Sequence, residues 1–108
     1  MIAFEVQGKT VTFTGDATAP AGVQALSNND VRSPQKMLTN AGTVAVFVGW
    51  GETSDAAKAN AILPTGTPRY GYYLLPSTQV VITAPPEAYF TGISASAAIV
   101  YITPGKGL

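Results

Sequence analysis

The sequence predicts an all-β fold, an antiparallel β-sandwich of jelly-roll-like form that residues 1–108 build as a single domain. Short apolar runs alternate with polar residues at every second position, and turn-forming residues recur about every ten residues. No long run has helical periodicity. Antiparallel pairing is favoured because nothing supplies the crossover helices that parallel strands need.

The amino-terminal segment predicts a β-hairpin. Apolar residues alternate with polar ones on both sides of a turn-forming stretch at 7–10, and they are Ile2, Phe4, Val6, Val11 and Phe13. Two interpretations stay open. The alternation favours an ordinary half-buried hairpin, and the alternative is an arm that adds a strand to the sheet edge of a neighbouring protein.

The clearest strand covers residues 43–50, after short extended segments at 23–26 and 32–38. Both of its faces are apolar, with Val44, Val46, Val48 and Trp50 on one side and Ala45 and Phe47 on the other. A strand of this kind is usually central and covered twice. The glycines on either side of Trp50 indicate a bulge or a close approach of another backbone.

Residues 52–68 are the one ambiguous stretch. Residues 54–61 are compatible with one or two helical turns capped by Ser54, or with a loop, and we favour a loop with at most one helical turn. The remaining predicted strands cover 70–75, 80–83, 89–93 and 97–103, and turns at 76–77, 84–87 and 94–96 separate them.

The chain contains few of the side chains that enzymes commonly use in catalysis. The chain has no histidine, no cysteine, and only six acidic and six basic side chains. It therefore lacks a side chain that titrates near neutrality, a soft metal ligand and a thiol nucleophile. Gly92–Ser96 differs from a serine-nucleophile motif at its last glycine, which favours a hairpin turn whose hydroxyls cap backbone groups. We predict no enzyme activity and no cofactor.

The carboxylates do not predict a metal site. Only Glu52 and Asp55 lie close together in sequence, and they lack the pattern of a calcium loop. Solvated loops are the favoured setting for all five residues considered: Asp16, Asp30, Glu52, Asp55 and Glu87.

Charge and hydropathy limit the partners. The formal net charge is zero, which argues against nucleic-acid binding and against a basic membrane-binding patch. No apolar run approaches the roughly 20 residues that span a bilayer, and the amino terminus lacks the basic start of a signal peptide. Charged residues make up only 11% of the chain, so part of the uncharged surface is expected to face another protein.

Aromatic residues are the first candidates for that contact. Six of them are candidates for a platform for a sugar or a protein: Trp50, Tyr70, Tyr72, Tyr73, Tyr89 and Phe90. Strand alternation keeps Tyr72 and Tyr73 from sharing one core, so one face of their strand is exposed or an interface. The predicted interface residues are Ile2, Phe4, Trp50, Arg69, Tyr70, Tyr72 and Tyr73.

The order of motifs from residue 37 to 108 resembles small β-sandwich structural proteins of tailed bacteriophages. The motifs are 39–43, a strand ending in 49–51, then 63–66, 75–78, 92–96 and 101–107. The resemblance implies a virion protein made in the host bacterial cytoplasm, namely a capsid decoration (cement) protein. It would bind the major capsid protein or other virion proteins and form a homo-oligomer, with a trimer favoured. The alternative is a head-fibre or tail-associated receptor- or carbohydrate-binding module, in which Trp50 and the tyrosines stack on sugars.

Overall fold

The computed structural model describes residues 5–6, 8–26, 35–61, 71–84 and 87–106, and these ranges contain nine strands and one helix. The elements are β1 (Glu5–Val6), β2 (Val11–Gly15), β3 (Val23–Gln24), β4 (Gln35–Asn40), β5 (Val46–Gly51), α1 (Ser54–Asn60), β6 (Gly71–Leu74), β7 (Gln79–Thr83), β8 (Tyr89–Ser94) and β9 (Ala98–Lys106). The predicted alternation of short strands and turns is therefore confirmed.

The strands pair antiparallel in two sheets that pack as one compact domain. Sheet I has the order β1–β9–β4–β7, with β2 also paired to β9, and sheet II has the order β3–β8–β5–β6. Connections such as β4 to β5, β6 to β7 and β8 to β9 pass from one sheet to the other. Neighbours in sequence therefore face each other across the core, and the predicted jelly-roll-like sandwich is confirmed.

The core lies between the sheets and takes every second residue of the strands. Leu38 on β4, Phe90 on β8 and Ile102 on β9 are completely buried. Burying a large apolar side chain contributes roughly 1.5–3 kcal/mol, so these positions dominate the stability of the sandwich. On β9 the alternate residues Ile99 and Tyr101 face outward and are exposed.

The predicted amino-terminal hairpin is wrong. Val6 lies opposite Gly105 and Val11 lies opposite Ile102, so β1 and β2 run in the same direction along one edge of β9. Residues 8–10 lie between the two strands and do not reverse the chain. The gap between β1 and β2 lies opposite Thr103 and Pro104, and proline has no N–H to donate to a neighbouring strand.

Strand β5 is central and covered on both faces, as its sequence predicts. Val46 and Val48 point into the core, while α1 lies on the opposite face. The close approach predicted at the glycines is confirmed, because a Cβ on Gly49 would lie 2.6 Å from the carbonyl carbon of Asn60. A Cβ on Gly51 would lie 2.8 Å from the α1 backbone.

Residues 54–60 form a two-turn helix, so the prediction of a loop with at most one helical turn is wrong. The predicted cap is also wrong by one residue, because Thr53 Oγ1 accepts the Ala56 N–H at 3.0 Å. A helix of seven residues is too short to be stable alone. It forms here because its alanine-rich side packs directly on the glycines of β5.

Two polar side chains of β4 point into the sandwich. Asn40 is 1% exposed, and its Nδ2 donates to the carbonyls of Val44 at 2.9 Å and of Leu74 and Leu75 at 3.3 Å. It thus joins the end of sheet I to the end of β6 in sheet II. Lys36 is completely buried, and desolvation lowers its pKa below the usual value.

Candidate functional site

The structure describes three of the seven predicted interface residues. Trp50 is half-buried and packs against the core, whereas Tyr72 and Tyr73 are 42% and 54% exposed. The other four lie outside the described residues, and they are Ile2, Phe4, Arg69 and Tyr70. Their role in an interface stays a prediction.

Among the candidate aromatic residues that the structure describes, Trp50, Tyr72, Tyr73 and Phe90 do not form one platform. Tyr72 and Tyr73 lie on opposite faces of β6, and Tyr73 belongs to the outer face of sheet II. Trp50 packs against the core on the inner face, and Phe90 is completely buried. A sugar ring therefore cannot stack on Tyr73 and on Trp50 or Tyr72 at the same time, because the sheet lies between them.

The outer surface of sheet I belongs to the sheet with more strands, which has five strands where sheet II has four. Eleven side chains from four strands share it, as the strand registers require. They are Thr12 and Thr14 on β2, Ile99, Tyr101 and Thr103 on β9, Gln35, Met37 and Thr39 on β4, and Gln79, Val81 and Thr83 on β7. We call this set the sheet I face.

The side chains of the sheet I face stand in rows that cross the strands. One row contains Thr12, Tyr101, Thr39 and Gln79 in direct register. Within it, Gln79 Nε2 donates to Thr39 Oγ1 at 2.9 Å. This bond between neighbouring strands holds Gln79 and Thr39 in place, so less rotamer entropy is lost when a partner covers them.

No member of the sheet I face carries a formal charge. The exposed charged side chains that the structure describes lie elsewhere, and they are Lys9, Asp16, Glu52, Asp55, Lys58 and Glu87. Covering uncharged side chains with protein avoids the large cost of desolvating ions. Depletion of charge is also what distinguishes the centre of a protein–protein interface from the remaining surface.

Sequence reasoning missed this face. The signal was present, because the eleven outward side chains of β2, β4, β7 and β9 are threonine, glutamine, tyrosine, methionine, valine or isoleucine. Alternation alone predicts that these residues face outward. It does not predict that four strands distant in sequence place them side by side.

Within the described ranges, no three His, Cys, Asp or Glu side chains lie together where they could hold a metal ion. The hydroxyl of Ser94 donates to the carbonyl of Ser96 at 2.6 Å, which confirms that a turn hydroxyl caps the backbone. This turn joins β8 of sheet II to β9 of sheet I, so the predicted hairpin there is wrong.

Two findings complete the description of the site. Within the part of the chain that the structure describes, no helix has both the length and the apolar character needed to cross a membrane. When the chain is compared with known proteins, no protein-family model, no curated protein and no solved structure matches it.

Proposed function

We propose that this chain is a non-enzymatic structural protein of a phage particle, a capsid decoration protein that binds the shell through the sheet I face. The observation that carries the proposal is the absence of formal charge on eleven outward side chains of four paired strands. The order of motifs in residues 37–108 supports the particle as the setting.

The size of the sheet I face favours an oligomer. Four strands about 4.8 Å apart, each contributing five or six residues at about 3.4 Å, give a surface of about 19 by 18 Å, or roughly 350 Å². A stable interface buries about 800 Å² on each partner. One copy would therefore bind weakly, whereas a trimer presents about 1,000 Å² and gains avidity by engaging several shell subunits together.

The binding mechanism follows from the chemistry of the face. Threonine, glutamine and tyrosine side chains offer hydrogen bonds, and Met37, Val81 and Ile99 offer apolar area. Contacts of this kind depend little on ionic strength, because no ion pair is screened by salt. We therefore expect particle binding to survive changes in salt concentration that would release a protein held by charge.

A binding experiment tests the face directly. Tyr101→Lys places a cation on the face, and Ala59→Lys places one on exposed helix α1 as the matched control. With particles stripped of this protein, we expect Tyr101→Lys to reduce binding at least about tenfold, because the cation must be desolvated. Ala59→Lys should bind as the wild type does, and equal binding by both variants would contradict the proposed face.

The copy number tests the role of the protein. Quantitative mass spectrometry of purified particles should find hundreds of copies relative to the major capsid protein. A dozen or fewer would contradict lattice-wide decoration and favour the fibre- or tail-associated module. Absence from the particle would rule out the virion role altogether.

A further inference from the structure

The outer face of sheet II carries a groove that the sheet I face does not explain. Two neighbouring hollows of about 350 and 340 Å³ share Ala17 and Ile93 in their walls. The first is also lined by Phe47 and Tyr73, and the second by Lys58 of α1. We call the two hollows together the sheet II groove.

The groove has a defined length because its floor follows a row across the strands. Tyr73, Phe47 and Ile93 are in direct register on β6, β5 and β8, and Ile93 forms a further bridge to Asp16. Neighbouring strands are about 4.8 Å apart, so this row is about 14 Å long. An extended segment of about four residues covers that distance at about 3.4 Å per residue.

The lining is apolar at one end and cationic at the other. Five of the twelve residues that line the two hollows are alanine, and the larger apolar side chains are those of Val44, Phe47, Tyr73 and Ile93. Lys58 is the one charged side chain that lines either hollow among the described residues. The Asp16 carboxylate accepts the Ala17 N–H at 2.8 Å and does not line them.

We propose that the sheet II groove binds an extended segment of a partner protein in which apolar side chains are followed by a carboxylate. The apolar side chains fill the hollows over Phe47 and Ile93, and the carboxylate meets the Lys58 ammonium. This site lies on the opposite side of the sandwich from the sheet I face. A copy that uses both surfaces bridges two partners.

A titration of the isolated protein tests the groove. The probes are the peptides acetyl-Leu-Ala-Leu-Asp-amide and acetyl-Leu-Ala-Leu-Lys-amide, followed through backbone amide NMR shifts. We expect saturable shifts at Ala17, Ala45 and Ile93 with the aspartate peptide. Because exposed ion pairs contribute little, the lysine peptide should bind about threefold to tenfold more weakly.

Four variants decide between the groove and a nonspecific effect. Ala17→Trp fills the groove and should abolish the shifts, while Ala59→Trp on exposed α1 should not. Lys58→Glu should reverse the preference, so that the lysine peptide binds better, while Lys9→Glu should leave the preference unchanged. Amide spectra of each variant show whether it is folded.

Several results would overturn the proposal. One is the absence of saturable shifts in the groove with either peptide, and another is equal binding of the two peptides. Saturable binding of 1-anilinonaphthalene-8-sulfonate without peptide binding would assign the groove to small apolar anions instead. These measurements use no particle, so their failure leaves the proposed attachment through the sheet I face untouched.

Discussion

Replacing Asn40 tests how the two sheets are joined. Its Nδ2 donates to three backbone carbonyls, and its Oδ1 accepts the Gly42 N–H at 2.9 Å. An amide group has two N–H donors, so one donor is shared between two of the three carbonyls. Asn40→Ala therefore removes about three hydrogen bonds at a site that is 1% exposed.

The loss of folding stability that we expect from Asn40→Ala is large relative to the total stability of a small domain. Each buried bond contributes about 1 kcal/mol, and partners left without a bond cost more, so we expect Asn40→Ala to cost about 3 kcal/mol. The total free energy of unfolding of a domain of this size is about 5–15 kcal/mol. Asn40→Asp should cost at least as much at pH 7, because it turns a carboxylate oxygen toward carbonyls.

Urea unfolding followed by Trp50 fluorescence measures these changes. Trp50 is the single tryptophan and packs against the core, so its emission reports the loss of the sandwich. Thr43→Ala, at an exposed position in the turn that follows Asn40, is the control and should change stability by less than about 0.5 kcal/mol.

Burial raises the pKa of the carboxyl group that Asn40→Asp introduces, so that this pKa is higher in the folded state than in the unfolded chain. The folded state of that variant then binds more protons between the two pKa values, and its stability should recover as pH falls toward about 4. A loss of stability below about 1 kcal/mol for Asn40→Ala would falsify this account of how Asn40 joins the two sheets. A free energy of unfolding of Asn40→Asp that does not change with pH would contradict it as well.

Three further predictions concern the backbone and the buried lysine. Gly49→Ala should cost about 1–3 kcal/mol because its Cβ would displace the Asn60 backbone, while Gly22→Ala, with nearest contacts at 3.2 Å, should cost less. Ser77 has a φ of 55° in the turn after β6, so Ser77→Gly should stabilise the fold by about 0.5 kcal/mol. Burial lowers the pKa of Lys36, so stability should rise with pH between that lowered value and the ordinary value of 10.5, and Lys36→Met should remove this rise.

The same urea assay checks all three predictions. Equal losses of stability for Gly49→Ala and Gly22→Ala would show that α1 can move away from β5 at little cost in free energy. A destabilising Ser77→Gly would mean that local contacts of the serine outweigh its backbone cost. Parallel stability curves against pH for wild type and Lys36→Met would contradict the inward placement of the ammonium.

Local patterns predicted much of the secondary structure. The alternation around Val46 and Val48 predicts a central strand, and it is central because both of its faces are apolar and must be covered. The turn at residues 76–77 likewise follows from the fixed φ of Pro76, which suits the first central position of a turn. These features depend on neighbours in sequence, which the sequence contains explicitly.

Long-range contacts overruled two local predictions. Residues 7–10 have turn-forming composition, yet β9 is long enough to pair with β1 and β2 in succession, so the chain continues along its edge. Residues 54–60 are a marginal helix by propensity, and close packing on Gly49 stabilises it. In both cases the deciding partner is distant in sequence or lies across a packing contact.

The two candidate surfaces also depend on contacts between residues that are distant in sequence. An all-β sandwich with few charges and without histidine or cysteine is predictable from the sequence alone, because period, turn chemistry and composition are local or additive properties. The row of Thr12, Tyr101, Thr39 and Gln79 is visible only in the folded chain. The same holds for the groove that Lys58 lines together with Ile93. Surfaces of this kind depend on the order and register of strands, which pairing energies across the whole chain select.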